Sequence, residues 1–187
     1  MKHSIFLFII SLILFSCGKP IPRKPIVRKT TSFMKESISF NKSLIADEEE
    51  AFKIIMEQDS LSTYIASSNG FWYKFEQKDS MQYLPKFGDK LSYTYEVYSL
   101  DNTIIYTSEE IGEQQYVVDQ QEIIEGLRNG LKLMNEGDIV TFLFPSHKVF
   151  GYLGDLKKIR VNQPLIYKVQ LNKINKINKI NKKNESN

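Results

Sequence analysis

The stretch that decides the fold is residues 122–134, which read Glu-Ile-Ile-Glu-Gly-Leu-Arg-Asn-Gly-Leu-Lys-Leu-Met. A helix here would carry its apolar side chains on one face, namely Ile123, Ile124, Leu127, Leu131 and Met134. Gly126 and Gly130 lie four residues apart on that helix, and each costs about 1 kcal/mol of helix stability relative to alanine. This cost indicates that the backbone comes close to a sheet or a ligand there. We predict that Asp119 is the N-cap, with Glu122 as its capping partner, and that the helix stops at Gly137.

Short strands with alternating polarity surround this helix. Leu91, Tyr93, Tyr95 and Val97 alternate with polar residues, as in a half-buried antiparallel strand. Further strands are predicted at residues 103–107, 116–118, 138–144 and 165–171, with an aromatic, glycine-containing loop at 145–154. One short helix and about five strands without βαβ alternation predict an α+β fold, in which an antiparallel sheet wraps over the helix.

The order of these elements resembles the FKBP family over about residues 88–171. Tyr95 and the later Ile105-Tyr106-Thr107-Ser108 resemble the family's Tyr-x-Gly…Phe-Asp-Ser-Ser stretch. Residues 122–134 resemble its Val-Ile-x-Gly-Trp-x-x-Gly-x-x-x-Met helix, and residues 144–151 resemble Ile-Pro-Pro-x-x-Ala-Tyr-Gly. Ile159 with Leu165-Ile166-Tyr167 resembles the closing Ile-Pro-Pro…Leu-x-Phe run. The resemblance implies a peptidyl-prolyl cis-trans isomerase that binds proline-containing protein segments and needs no metal or cofactor.

The resemblance also implies a substrate cup, carried over residue by residue. Its walls would be Tyr95, Tyr116, Leu127, Phe150 and Tyr167, its floor Ile123 and Ile159, and the backbone N–H of Ile124 would hold the substrate carbonyl. Three positions depart from the family: Tyr106 stands for the usual Asp, Phe150 for a Tyr and Leu127 for a Trp. The first two remove a carboxylate and a hydroxyl that orient the substrate. We therefore expect weak activity, and expect Tyr106→Asp together with Phe150→Tyr to raise it.

A second class of function stays open because of these departures. The same apolar cup could grip extended segments without catalysis, as a chaperone or scaffold whose surface is extended by residues 32–75. Loss of the two orienting groups favours this alternative, whereas the intact apolar walls favour the isomerase.

The start of the chain has the pattern of a lipoprotein signal peptide, predicted over residues 1–16. Lys2 and His3 precede the apolar run 5–15, which is shorter than the roughly 20 residues of a membrane-spanning helix. Leu14-Phe15-Ser16-Cys17 resembles a bacterial lipobox, in which Cys17 receives the lipid. The alternative is a plain secretory peptide with an incidental free cysteine. The lipobox predicts a lipid anchor on the periplasmic side of the envelope, in the inner or the outer membrane.

Two appendages are predicted around the FKBP-like domain, which we place at residues 88–174. Residues 17–31 form a lipidated tether with three prolines and five cations, and residues 32–87 form an extension of one amphipathic helix and a hairpin. Ser32 is the predicted N-cap, and a break near Asp47 stays open. The hairpin turns at Asn69-Gly70. The helix stripe either packs on the domain or binds a partner. Residues 175–187 are predicted to be a disordered Lys/Asn-rich tail.

Composition excludes several other functions. The chain has 187 residues and a net charge of +3, but five Lys or Arg lie in residues 18–30 and five Lys in residues 172–187, so the body between them is acidic. A basic folded face for nucleic acid is therefore not expected. Cys17 is the only cysteine, which excludes an internal disulfide and a thiolate cluster.

The whole chain also resembles FKBP-like lipoproteins associated with gliding motility.

Overall fold

The structure of the chain is a computed structural model that describes the backbone of residues 30–80 and 83–177, and the side chains of these residues from 33 onward. The predicted signal peptide, Cys17, most of the predicted tether and most of the predicted tail lie outside the described residues. The boundary between the two compact units of the chain lies between Ser39 and Phe40, and the described residues from Phe40 onward belong to the second unit. Within the described part, no helix is both long and apolar enough to cross a membrane.

The described elements follow one another in this order. Helix α1 (Thr30–Gln58) precedes β1 (Ile65–Ser67), β2 (Phe71–Gln77), β3 (Lys90–Tyr98) and β4 (Ile104–Tyr106). The short helix α2 (Ser108–Ile111), β5 (Gln114–Val117), helix α3 (Glu125–Leu131) and β6 (Ile139–Phe144) come next. Two 3₁₀ turns, Ser146–Lys148 and Gly151–Leu153, lead to β7 (Leu165–Asn175).

The strands form one seven-stranded antiparallel sheet in the order β1-β2-β6-β7-β3-β4, with β5 paired to the first half of β3. This confirms the predicted α+β fold. The hairpin of β1 and β2 turns at Gly70, where φ is +76°, as the Asn-Gly signal predicted. Strand β2 pairs along β6, with Trp72 opposite Leu143, so the hairpin belongs to the same sheet as the FKBP-like segment.

Strand β6 packs on different partners through its two faces. Phe142 and Phe144 point towards α3, where a Cβ on Gly130 or Gly126 would lie 2.9 Å from the respective ring. The predicted close approach of this helix to a sheet is confirmed. Leu143 points the other way, into a cluster with the buried Phe52 of α1. Successive side chains of β6 therefore point into two different core clusters, one on each face of the sheet, as expected for a strand.

The N-cap prediction for α3 is wrong. The helix begins at Glu125, and Ile124 is its N-cap, without a side-chain hydrogen bond. Asp119 lies in the turn after β5 with φ of +57°, whereas an N-cap needs extended backbone. Its backbone N–H donates to the Tyr116 hydroxyl at 2.9 Å, and its carboxylate accepts from Lys132 Nζ at 2.5 Å. Tertiary contacts thus hold Asp119 in a conformation that local sequence did not indicate.

Helix α1 and strand β7 also differ from prediction at their ends. Ser32 lies inside α1 and is not its N-cap, and the helix runs without a break through Asp47. Strand β7 continues past the predicted end at Leu171 as far as Asn175, because it pairs with β3 up to Lys90. On α1, Phe52 is fully buried whereas Ile45 is 38% exposed, so the apolar stripe packs only in part.

Candidate active site

A cleft of about 380 Å³ opens among β3, β4, β7 and the loop that follows β6. Its apolar and aromatic lining is Tyr95, Val97, Tyr106, Ile111, Phe150, Ile159 and Tyr167, and its charged lining is Glu110, Asp155 and Lys157. We call it the aromatic cleft. The strands supply its fixed wall, and residues 150–159 of the loop supply the opposite wall.

The fixed wall is a stack of two tyrosines on neighbouring strands. Tyr95 on β3 and Tyr167 on β7 stack with ring centroids 5.4 Å apart and planes 18° apart. Tyr167 is 1% exposed and meets Phe144 edge to face at 5.4 Å. Burial raises the pKa of both tyrosine hydroxyls, so both remain neutral at physiological pH. The wall is therefore flat, rigid and uncharged.

The loop wall is held by a tight backbone turn. Ile159 is 4% exposed, and its N–H donates to Asp155 Oδ1 at 2.8 Å. Gly154 has φ of +64°, and a Cβ there would lie 2.4 Å from the carbonyl oxygen of Ile159. Only glycine fits at this position. The turn fixes Ile159 and Asp155 on the cleft side of the loop.

A hydrogen-bonded polar pair bridges the two walls. The Tyr106 hydroxyl on β4 donates to Asp155 Oδ2, while Asp155 Oδ1 accepts from the N–H groups of Lys157 and Ile159. The hydrogen bond to Asp155 and burial raise the pKa of Tyr106 to about 12. Burial would raise the pKa of Asp155, but the bonds from Tyr106 and the backbone outweigh it and lower the pKa. The cleft therefore contains an ionised carboxylate that β4 itself lacks.

A lysine covers the outer edge of this pair. Lys158 Nζ lies 4.6 Å from the centroid of the Tyr106 ring and donates to the Ile105 carbonyl at 3.2 Å. It also pairs with Glu110 at 2.7 Å, but both side chains are 47% exposed, so the ion pair adds little stability. Its contribution is to pack on the ring and to limit the mobility of Tyr106.

The structure brings four of the eight predicted site residues together in the cleft: Tyr95, Phe150, Ile159 and Tyr167. Tyr116 and Leu127 are not among the residues that line the cleft; both are buried in the core. The Tyr116 hydroxyl is occupied by the Asp119 N–H, and Leu127 is on α3 where the helix meets the sheet.

The remaining two predicted residues precede α3 and are half-buried. Ile123 packs against the core. Ile124 accepts from the Arg128 N–H at 2.9 Å, and its own N–H meets no acceptor among the described residues. Ile124 is not among the residues that line the aromatic cleft, and its predicted role stays a prediction. Sequence reasoning missed Asp155 because no spacing rule connects it to Tyr106, 49 residues earlier.

The fold and the cleft define a class: a domain of antiparallel sheet over a short helix that binds through an aromatic cleft. Residues 82–172 match the family of FKBP-type peptidyl-prolyl cis-trans isomerases, and these residues are just under half of the chain. The chain therefore contains an FKBP-type isomerase domain, as the sequence resemblance predicted. A comparison with curated proteins found no match to the chain.

Proposed function

We propose that the chain is a peptidyl-prolyl cis-trans isomerase that acts on proline-containing segments of exported envelope proteins. The observation that carries this proposal is the aromatic cleft of the FKBP-type domain, with Tyr95 and Tyr167 facing Phe150 and Ile159. A peptide segment that enters this cleft exchanges water for aromatic and aliphatic surface.

Desolvation is the catalytic principle. Rotation about the X-Pro bond faces a barrier of about 18–20 kcal/mol, because the planar amide is conjugated and polar. The twisted amide has less charge separation than the planar one, so a dry, uncharged wall favours it. The free N–H of Ile124 would orient the carbonyl beside the proline.

The pair of Tyr106 and Asp155 supports catalysis over mere binding. Tyr106 in place of the family's Asp predicts the loss of the carboxylate that orients the substrate. Asp155 supplies a carboxylate from the loop, and its bond to Tyr106 aims both groups at the cleft. The cleft therefore keeps a carboxylate despite Tyr106, which supports activity.

We infer the cellular setting from sequence pattern. The lipobox-like Leu14-Phe15-Ser16-Cys17 supports a lipid anchor on Cys17 that holds the domain on the periplasmic side of the inner or outer membrane. The resemblance noted in the sequence to FKBP-like lipoproteins associated with gliding motility is the ground on which we propose motility components as clients.

A non-catalytic chaperone is the second candidate, and exposed apolar side chains next to the cleft favour it. Tyr152, Leu153, Leu156 and Val161 are 76%, 59%, 89% and 61% exposed. Leu156 also has φ of +61°, so an apolar side chain is held out at the tip of the loop. Such a rim could grip unfolded chains without turnover.

Exchange NMR on a short Xaa-Pro peptide distinguishes the two candidates. The full-length chain should accelerate cis-trans exchange, and Tyr95→Ala should reduce the rate by opening the wall to water. Phe87→Ala, which removes a 65% exposed aromatic ring outside the cleft, is the control and should leave the rate unchanged. No acceleration by the wild type, together with full suppression of client aggregation, would leave the chaperone as the function.

A further inference from the structure

A second cavity, of about 550 Å³, lies between α1 and the loop after β6. Asn41, Leu44 and Ile45 line it from α1, and Val149, Phe150 and Leu153 are among the residues that line it from the loop. We call it the helix–loop groove. Phe150 lines this groove and also the aromatic cleft, so the two cavities share a wall.

The chemistry of the groove differs from that of the cleft. Not one of its lining residues is Asp, Glu, Lys or Arg, whereas Glu110, Asp155 and Lys157 line the cleft. Apolar side chains at its rim are accessible, since Ile45 is 38% and Leu153 is 59% exposed. Uncharged apolar groups are the ligands that such a surface binds most favourably.

Two hydrogen bonds hold the groove in shape, one between α1 and the loop and one within the loop. Glu48 is 4% exposed, and its Oε2 accepts from the buried Ser146 N–H at 3.0 Å, at the start of the first 3₁₀ turn. At the other end of the loop, the Asn162 N–H donates to the Gly151 carbonyl at 2.7 Å. A ligand therefore meets a preformed surface and loses less affinity to ordering of the protein.

We infer that the helix–loop groove is a second subsite for the polypeptide whose proline occupies the aromatic cleft. It takes one uncharged apolar side chain, of leucine or phenylalanine type, a few residues from the proline. We assign this ligand because Phe150 lines both cavities. An extended chain advances about 3.3 Å per residue, so a short segment of the bound polypeptide passes from one cavity to the other. This inference rests on the proposed binding of proline segments in the cleft.

Peptide binding to the full-length chain tests the inference. The probes are a reference peptide with one Ala-Pro core flanked by alanine and serine, and a series in which one leucine replaces each flanking position in turn. We expect leucine at one position to lower the Kd about tenfold, since burial of a leucine side chain stabilises a complex by somewhat more than that factor requires. Leucine at the other positions should leave the Kd near that of the reference peptide.

Two variants locate the effect. Ile45→Asp and Leu153→Asp alter the groove from its two sides, and each should abolish the gain from leucine. Ile45→Asp should also leave the Kd of the reference peptide unchanged, because α1 contributes no residue to the lining of the aromatic cleft. Ile54→Asp is the matched control, because Ile54 is 47% exposed on the same helix and lies outside the groove. It should retain the gain, and circular dichroism should show the same helix content in all three.

The outcomes separate this inference from the proposed function. Binding of the reference peptide without a gain at any leucine position overturns the inference alone. A gain that survives in both Ile45→Asp and Leu153→Asp also overturns it. A chain that binds none of the peptides overturns the proposed function and this inference with it.

Discussion

At Tyr106 and Asp155, the structure changes the functional role that the sequence predicted. Tyr106 stands where an Asp is usual in the family, and the sequence therefore predicted the loss of a carboxylate that orients the substrate. The loop restores one through Asp155. The expected gain from Tyr106→Asp is consequently reversed, because that change would place a second carboxylate against Asp155 and remove the hydroxyl that donates to it.

Removal of either side chain of the Tyr106–Asp155 hydrogen bond should lower the rate of isomerisation more than it lowers the stability of the fold. We expect Tyr106→Phe and Asp155→Asn each to lower kcat/KM by about three- to tenfold, the factor that one hydrogen bond of 0.5–1.5 kcal/mol supplies. Exchange NMR on the Xaa-Pro peptide gives the rates. Asp101→Asn, in an exposed turn outside the cleft, is the control, and equal loss in all three variants would speak against a specific role of the pair.

The pair should also leave a signature in alkaline titration. Tyr106 has a pKa of about 12 when folded, and free tyrosine has a pKa near 10, so the stability that it contributes is complete below pH 10 and disappears as pH rises through 12. Asp155 has a lowered pKa, so its contribution is complete above about pH 4 and is lost in acid.

Tyr98 must be separated from Tyr106, because its hydrogen bond to Glu96 also raises its pKa to about 12. The titration of Tyr106 is obtained by subtracting the tyrosinate absorbance of Tyr106→Phe from that of the wild type. We expect the difference to have its midpoint near pH 12. A midpoint near pH 10 would show that the hydrogen bond is absent in solution.

Helix α3 shows which features of an element can be predicted from local sequence. Its buried face and the approach at Gly126 and Gly130 follow from spacing, because helical geometry alone places these residues side by side. Its C-terminus does not follow from spacing, since the predicted stop was Gly137 and the helix ends at Leu131. Its N-terminus does not, since Asp119 is diverted by Tyr116 and Lys132, which are contacts of tertiary structure. For the same reason Leu127 was assigned to the cup although it packs in the core.

Alanine at Gly126 should therefore destabilise the fold despite better helix propensity. Its Cβ would lie 2.9 Å from Phe144 Cδ1 and 3.1 Å from the backbone oxygen of Lys148, and that oxygen cannot move freely. We expect a net loss of about 1–3 kcal/mol in urea unfolding, from overpacking. Asn129→Ala in the same helix adds no atoms and is the control. Equal or higher stability of Gly126→Ala would contradict the close approach.

Removal of the Glu48 carboxylate should lower the free energy of unfolding, because its partner, the Ser146 N–H, is buried. Glu48→Ala leaves the buried Ser146 N–H without an acceptor, which costs about 1–3 kcal/mol. Chemical unfolding measures the loss, and Glu49→Ala, an exposed neighbour, should be neutral. If the two variants unfold at the same urea concentration, the carboxylate does not fix the first 3₁₀ turn.

At the scale of the whole molecule, the strands and the sheet over a helix were predicted correctly within residues 88–171, but the ends of α3 and the short helix α2 were not. Alternation in β3 and β7 and the glycine helix are local signals, so the sheet over a helix could be predicted. The pairing of β2 with β6 joins residues more than 60 positions apart and has no local signal. Four of eight site residues meet in the cleft because they lie on elements whose order the family resemblance supplied.

The proposed anchor makes a prediction for the whole chain in the cell. Cys17→Ser should prevent incorporation of labelled palmitate and move the chain from the membrane to the soluble fraction, because Cys17 carries the only sulfur that the lipobox pattern offers for acylation. Buried acyl chains contribute about 0.8 kcal/mol per CH₂ to membrane binding. The five cations of residues 18–30 cannot replace this binding free energy in high salt, because salt screens their attraction to the membrane. Ser16→Ala keeps a small residue before Cys17 and should be labelled normally. Label in the Cys17→Ser chain, or membrane retention after a high-salt wash, would show that Cys17 does not carry the anchor.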